Sequence, residues 1–296
     1  MTGERWFAER LYPDVRFAFR ADEVLVETDG PPQELALLRN RTFGRVLVLD
    51  GVTQITEADE FVYSEMMAHV PIVAHGAARE VLIIGGGDGA IAQEVLAHAD
   101  IERCTLVDID PAVVDFSREH LASIHQGVFD DPRFELHIDD GAAFVQGETE
   151  RFDVIIVDST DPLGPGAVLF TREFYAGCHR SLTPGGVLVT QNGVPFLQAD
   201  ELAGSVTSFA ALFADAGCYL APVPTYIGGH LAMGWATDDP ERRRLDVSEL
   251  AERWDAAGVE TRYYTPEVHA AAFALPRFVA DVVDRARAEG RASAGS

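Results

Sequence analysis

The chain has 296 residues, 47% hydrophobic and 24% charged, the balance of a globular protein able to bury one large core or two unequal ones. Its formal charge of −25 comes from 48 acids against 23 basic residues, every one an arginine, so a nucleic acid is repelled and a polycation attracted. No apolar run reaches the ~18 residues of a membrane span. The N-terminus has no secretion-signal pattern, and three scattered cysteines (Cys104, Cys178, Cys218) suggest neither a disulfide framework nor a metal site; a cytoplasmic location is expected.

In chain order, the N-terminal part reads as β-rich. "VRFAFR", "EVLVET", "ELALLRN" and "RVLVLD" alternate or run apolar between turn residues. Asp50-Gly51, set between "RVLVL" and "VTQIT", predicts a tight type I′ hairpin. A helix is expected from Asp59 to about His69, with Tyr63, Met66, Met67 and Val70 as its apolar stripe and Pro71 as its end. The domain boundary is placed there, giving a first domain 1–72 and a second 73–296.

From Arg79 strands and helices alternate, the pattern of a parallel α/β sheet. Strands are expected at 80–84, 104–108, 134–138, 153–158 and 186–191, with helices at 90–98, 111–121, 141–146 and 173–182. "CYLAPVPTY" and "HLAMGWATD", joined through Gly228-Gly229, predict an antiparallel pair at the sheet edge, followed by helices near 248–257 and 276–288.

The chemistry concentrates at strand ends. "VLIIGGGDGA" carries Gly85-x-Gly87-x-x-Ala90 between strand and helix, and Asp108 ends the next strand, where an acid can accept both ribose hydroxyls of a nucleoside. The glycine pattern alone does not choose between a nicotinamide dinucleotide and an S-adenosyl compound. Asp88, inside the loop, disfavours a pyrophosphate and also the carboxylate of S-adenosylmethionine. The decarboxylated form of that donor, which keeps the sulfonium and amino groups, matches the charge. In "DVIIVDSTDPLGPG", Asp158 falls at a strand's carboxyl end and Asp161 follows on a loop stiffened by Pro162 and Pro165. Three carboxylates together repel one another unless a di- or polycation sits among them, although either Asp158 or Asp161 can also cap a turn. Asp140 in "DDG" reads as a helix N-cap, a contact to an adenine amino group, or both.

Taken together, "LDGVTQITEADEFVYSEMMAHVPIVAH", "IIGGGDGA", "VDID", "DDG", "VDSTDPLGPG", "PTYIGGHLAMGWATD" and "RYYTPEVHAAAFALPRF" resemble the polyamine aminopropyltransferases, above all the bacterial spermidine synthases, over about residues 5–285. The resemblance implies an α/β fold: a small N-terminal β-domain, then a Rossmann-like, methyltransferase-type doubly wound sheet, assembled as a homodimer or homotetramer. It implies aminopropyl transfer from decarboxylated S-adenosylmethionine, a co-substrate, to putrescine, with release of methylthioadenosine. No resident cofactor, metal, nucleic acid or membrane is expected to take part. By matching position, Gln33, Asp108, Asp140, Gly141 and Pro165 hold the nucleoside beside Gly85 and Gly87 of the loop. Gln54 and Asp88 lie along the aminopropyl chain. Tyr63, Ser64, Asp161 and Tyr226 line the amine channel, and Asp158 is the catalytic carboxylate, with Tyr63 and Tyr226 polarising the amine. Ser159 and Thr160 open a gatekeeping segment that runs to about Tyr175. The chain departs from the family pattern in two places: Asp108-Ile109-Asp110 replaces Glu-Ile-Asp, and Tyr63-Ser64-Glu65-Met66 replaces Tyr-His-Glu-Met. The smaller Ser64 leaves room for a longer amine such as cadaverine or agmatine. A polyamine N-methyltransferase using intact S-adenosylmethionine is the alternative chemistry.

Overall fold

In the computed structural model, which describes residues 5–28, 34–160 and 164–294, the N-terminal strands form two sheets. β1 (Arg5–Ala8) pairs antiparallel with β2 (Ala18–Ala21), so only the end of "VRFAFR" is strand. β3 (Glu23–Thr28), β4 (Leu35–Asn40), β5 (Gly44–Leu49) and β6 (Val52–Thr56) form a four-stranded antiparallel meander. Asp50 and Gly51 turn β5 into β6 at φ 50° and 79°, because the right-handed twist of a hairpin needs left-handed residues at both turn positions. Phe19, Leu38, Val46 and Val48 make this unit's core.

The following helix, α1 (Glu60–His75), runs past the expected stop at Pro71. Burial overrides the proline: every residue from Val62 to His75 is buried, so the helix is held by tertiary packing on all sides. Its free C-terminal carbonyls are met by arginines, Arg253 on Val73 and Ala74 (2.9 and 2.8 Å) and Arg242 on His75. Buried Glu65 accepts three backbone N–H groups, from Arg262, Tyr263 and Tyr264.

The remaining chain alternates as expected: β7 (Glu80–Gly85), α2 (Ala90–Ala97), β8 (Arg103–Asp108), α3 (Pro111–His120), α4 (Ala122–His125), β9 (Phe134–Ile138), α5 (Gly141–Gly147), β10 (Phe152–Asp158), α6 (Arg172–Ser181) and β11 (Leu182–Gln191). Then come α7 (Ala199–Leu212), β12 (Asp215–Ala221), β13 (Leu231–Thr237), α8 (Val247–Ala257), α9 (Pro266–Ala272) and α10 (Arg277–Ala294). The sheet order is β12-β13-β11-β10-β7-β8-β9. Strands β7 to β11 are mutually parallel, and β13 and β12 complete the sheet antiparallel. β12 stops at Ala221 because Pro222 cannot donate to a ladder. "CYLAPVPTY" is therefore strand only in its first half.

Helix α7 has no counterpart in the sequence reading. Gly204, Ser205, Thr207 and Ser208 dilute its helical signal, yet Leu202, Val206 and Phe209 are fully buried. α10 lies against it, and Gly290 permits the approach: a Cβ there would stand 2.2 Å from the Thr207 carbonyl oxygen.

Contacts divide the chain into Met1–Phe61 with Val223–Ile227, and Val62–Pro222 with Gly228–Ser296. The sequence pattern predicts a boundary after residue 72. α1 belongs almost wholly to the second unit instead, because its buried surface and its capping arginines lie there. The excursion of 223–227 into the first unit is fixed by Asp59, which accepts from the Thr225 amide (2.7 Å) and hydroxyl and from Thr56 Oγ1 (2.5 Å).

Candidate active site

From β7 the chain builds β8 and β9 on one side and then crosses to β10 on the other, so the sheet's switch point lies between β7 and β10. Ligands of open α/β sheets bind at the carboxyl ends of the strands flanking such a point. Gly85 and Asp158 are register partners at those ends. Gly85 sits at φ 81°, and a Cβ on it would lie 1.9 Å from the Asp158 carbonyl oxygen; only glycine allows the loop to turn so close to β10.

The loop spends its own amides. Gly87 N–H donates to Asp108 Oδ2 (3.0 Å), Gly89 N–H to the Gly86 carbonyl (2.9 Å) and Ala90 N–H to Asp88 Oδ1 (2.8 Å). A loop built for pyrophosphate would leave these donors to the anion. A Cβ on Gly87 would come within 2.6 Å of Asp108 Oδ2, which is why the glycine and the acid occur together. Asp108 also accepts from the Asp110 amide (2.9 Å), and each of its oxygens keeps a lone pair for a ribose hydroxyl. The one-methylene-shorter acid thus still closes on the loop.

Asp158 is half-buried and accepts a hydrogen bond from the Tyr63 hydroxyl at 2.7 Å. Burial pushes its carboxyl well above the ordinary range, Asp88 and Asp108 push it further, and the Tyr63 bond pulls it back. Asp88 is raised by burial and by Asp108, against the lowering effect of its bond from Ala90. Asp108 is raised mainly by burial. Among the described residues no cation is hydrogen-bonded to any of the three. The site is thus a cluster of acids short of positive charge, and a cationic ligand supplies what it lacks.

Asp140 caps α5 by accepting from Ala142 N–H (2.8 Å), and Gly141 beside it has no room for a Cβ, which would lie 2.4 Å from Ile84 Cγ2. Replacing Asp140 with Ala is expected to cost ~1 kcal/mol of stability, the usual value of an N-cap, read as a lowered urea midpoint. Ser159 is half-buried and Thr160 exposed after β10; a 3-10 helix, Gly164–Phe170, then leads to α6. Ser64 is buried in α1. Gln54 and Tyr226 belong to the first unit, where the Tyr226 hydroxyl donates to the Gln54 carbonyl oxygen at 2.6 Å. Gln33, Asp161 and the side chain of Pro165 lie outside the described residues.

The structure adds three residues. Gln191 ends β11 one step beyond the Val157–Thr190 pair, level with Asp158, and its Oε1 is buried without a partner among the described residues. Its signal in the sequence is its place at the end of an expected strand, the same place that drew attention to Asp158. Ile109 and Ile138 are 61% and 46% exposed at the carboxyl ends of β8 and β9, flanking Asp108 and Asp140 with an uncovered apolar surface.

Family models cover both parts of the chain. The spermine/spermidine synthase domain matches residues 60–246 and the spermidine synthase tetramerisation domain residues 5–57. The chain belongs to the spermine/spermidine synthase family. It is accordingly an enzyme of the polyamine aminopropyltransferase class. The polyamine aminopropyltransferase of Ruegeria sp. is 55% identical over 94% of this chain and 98% of its own length; that of Serratia proteamaculans is 48% identical over 97% and 100%. Among solved structures, a spermidine synthase in complex with the transition-state analogue AdoDATO superposes with a TM-score of 0.90 at 35% identity, covering 96% of this chain and 98% of that one. The Thermotoga maritima spermidine synthase gives 0.87 at 33% identity, with 96% of each chain covered. The fold is therefore the small β-sheet domain plus methyltransferase-like domain of spermidine synthases, as expected from the sequence, and the first unit carries the family's oligomerisation module. No described helix is long and apolar enough to cross a membrane.

Proposed function

We propose that the protein transfers the aminopropyl group of decarboxylated S-adenosylmethionine to putrescine, giving spermidine and methylthioadenosine. The Asp158–Tyr63 pair at the switch point, with Asp88 in a loop whose amides are already bonded, carries this reading. The amine nitrogen attacks the aminopropyl carbon bonded to sulfur. The C–N bond forms as the C–S bond breaks, its electron pair stays on sulfur, and neutral methylthioadenosine leaves. The sulfonium is a good leaving group, so alignment of the two partners is the enzyme's main contribution. An alkylammonium of pKa ~10 is neutral only about one part in a thousand at pH 7, a deficit of roughly 4 kcal/mol. Asp158 orients the neutral amine and takes its proton as the new bond makes the nitrogen acidic. Its upward-shifted carboxyl is a better proton acceptor than an ordinary one. Tyr63 holds that carboxylate from the other side. Asp88 faces the donor's ammonium, Asp108 the ribose, Ile109 and Ile138 the faces of the adenine, and Gln191 the acceptor amine. Roles for Gln33, Gln54, Asp161 and Tyr226 rest on the resemblance alone. No resident cofactor enters the reaction, and assembly is as a homodimer or homotetramer, which light scattering distinguishes.

The test is product identification. The protein is incubated with decarboxylated donor and putrescine, cadaverine, agmatine, 1,3-diaminopropane or spermidine, and the products are weighed by mass spectrometry. Spermidine from putrescine together with methylthioadenosine is expected. Preference for cadaverine or agmatine would assign Ser64 to a roomier channel, and methyl transfer from intact S-adenosylmethionine would overturn the proposal. Binding of the cationic substrates at pH 7 is also expected to expel protons from the raised carboxyls, seen in calorimetry as a heat that varies with buffer ionisation enthalpy.

A further inference from the structure

α1 and α2 are joined by a chain of buried and half-buried groups that the reaction does not use. α1 carries Tyr63 to Asp158 and, further along, carries the fully buried His69. His69 Nδ1 lies 2.9 Å from His98 Nε2, and His69 Nε2 lies 3.1 Å from Glu94 Oε2. Glu94 is in α2, and His98 is that helix's C-cap. α2 starts at the glycine loop that holds Asp88. Both ring nitrogens of His69 are thus bound to one neighbouring helix, and the rings of Trp254 and Tyr264 close over it at 5.1 and 5.4 Å. Two directional bonds add to that packing a fixed register, since any slip strands their buried partners unsatisfied.

We propose that His69 is a positioning residue of the transfer reaction: bonded to Glu94 and His98, it locks the helix that carries Tyr63 to the helix that begins at the Asp88 loop. The link survives changes of protonation. Burial lowers His69 to about 4 and His98 to about 3 and raises Glu94 to about 7. With Glu94 ionised, His69 Nε2–H donates to it and His98 Nε2–H donates to His69 Nδ1. With Glu94 protonated, both bonds reverse direction and neither is lost. Nearby Glu65 and Asp100 favour the charged imidazoles, but burial outweighs them.

The test compares His69→Leu, His69→Gln, Tyr63→Phe and the His69→Leu/Tyr63→Phe double variant, all well below their melting temperatures. His69→Leu is expected to lower kcat about 10-fold with a smaller change in KM, and His69→Gln, which keeps one bond, to recover part of the loss. If His69 acts through Tyr63, the double variant is no slower than Tyr63→Phe by more than about twofold. A second readout needs no turnover. Because the Tyr63 bond lowers the Asp158 carboxyl, an NMR titration of Asp158 is expected to move upward in both Tyr63→Phe and His69→Leu, by about 0.5–1 pH unit. Glu94→Leu cuts the same link from α2 and replaces His69→Leu if that variant does not fold; Glu94→Gln, which keeps an acceptor, should behave as wild type. A lowered melting temperature with kcat and the Asp158 titration unchanged, or losses that multiply fully in the double variant, would overturn the proposal. The kinetic arm rests on the function proposed above and the titration does not. A shifted titration in a protein without transfer activity would reject that function and retain the link.

Discussion

Replacing Asp158 with Asn is expected to lower kcat by ~10²–10⁴-fold, the range of a positioned proton acceptor, while methylthioadenosine binding stays within a few-fold of wild type. Asn keeps the shape and can still meet the Tyr63 hydroxyl, so the loss isolates the carboxylate's basicity from its packing. The pH profile separates roles further. In the wild type, kcat/KM falls on the acid side as Asp158 becomes protonated, and its raised carboxyl places that limb above the ordinary carboxylate range. The Asn variant should lose this limb and keep the dependence set by deprotonation of the amine and by Asp88 beside the donor. Stability depends on the same carboxyl. A carboxyl whose folded-state pKa is raised imposes no penalty below its unfolded value, an increasing one between the two values, and a constant one above both. Asp158→Asn should therefore raise the melting temperature of the ligand-free protein at pH 8, and the gain should fade as pH falls toward the ordinary carboxylate range. Turnover that survives the substitution would remove Asp158 from the proton transfer.

The second large effect concerns donor choice. Wild type is expected to prefer decarboxylated over intact S-adenosylmethionine by ~10²–10³-fold, and Asp88→Asn to reduce that ratio to within about 10-fold. Like charges set the ratio: a donor carboxylate about 4 Å from the Asp88 carboxylate costs up to roughly 4 kcal/mol at an effective dielectric of 20. Asn retains the oxygen that accepts from Ala90 N–H, so the loop stays folded and only the charge is removed. Discrimination should weaken in acid, because burial and Asp108 raise Asp88 and it becomes neutral at a higher pH than an ordinary aspartate. Competition binding of both donors at pH 6 and pH 8 reads this directly. Equal affinity for the two donors in wild type at pH 8 would show that Asp88 does not choose the donor.

The role of His69 connects these two expectations. Asp158 and Asp88 sit on different elements, and their separation is set by how β10, α1 and α2 are held together. Tyr63 reports one side of that arrangement and the glycine loop the other. A site built from mutually repelling carboxylates needs a stiff frame, because each acid left free would move away from its neighbours.

Much of this was legible in the sequence because it rests on local rules. Alternating apolar runs announced the strands, Asp50-Gly51 the hairpin, and the glycine loop and Asp158 the carboxyl ends where open sheets take ligands; these signals depend only on near neighbours along the chain. The placement of Asp88 among glycines was enough to turn the reading away from a pyrophosphate. Other features depended on partners remote in sequence. Pro71 does not end α1, because tertiary packing buries every residue from Val62 to His75, and Arg242 and Arg253, supplied from the C-terminal third, satisfy the carbonyls at its end. α7 forms from weak helix formers because α10 and the sheet bury its apolar side. The Tyr63–Asp158 bond joins residues 95 apart, and Gln191 reaches the level of Asp158 only through strand register. The sequence alone thus determined which residues carry charge and where the strands that bear Gly85, Asp108 and Asp158 end. Tertiary structure decided which of those residues meet, since burial and register are properties of neighbours that the order of residues does not place side by side.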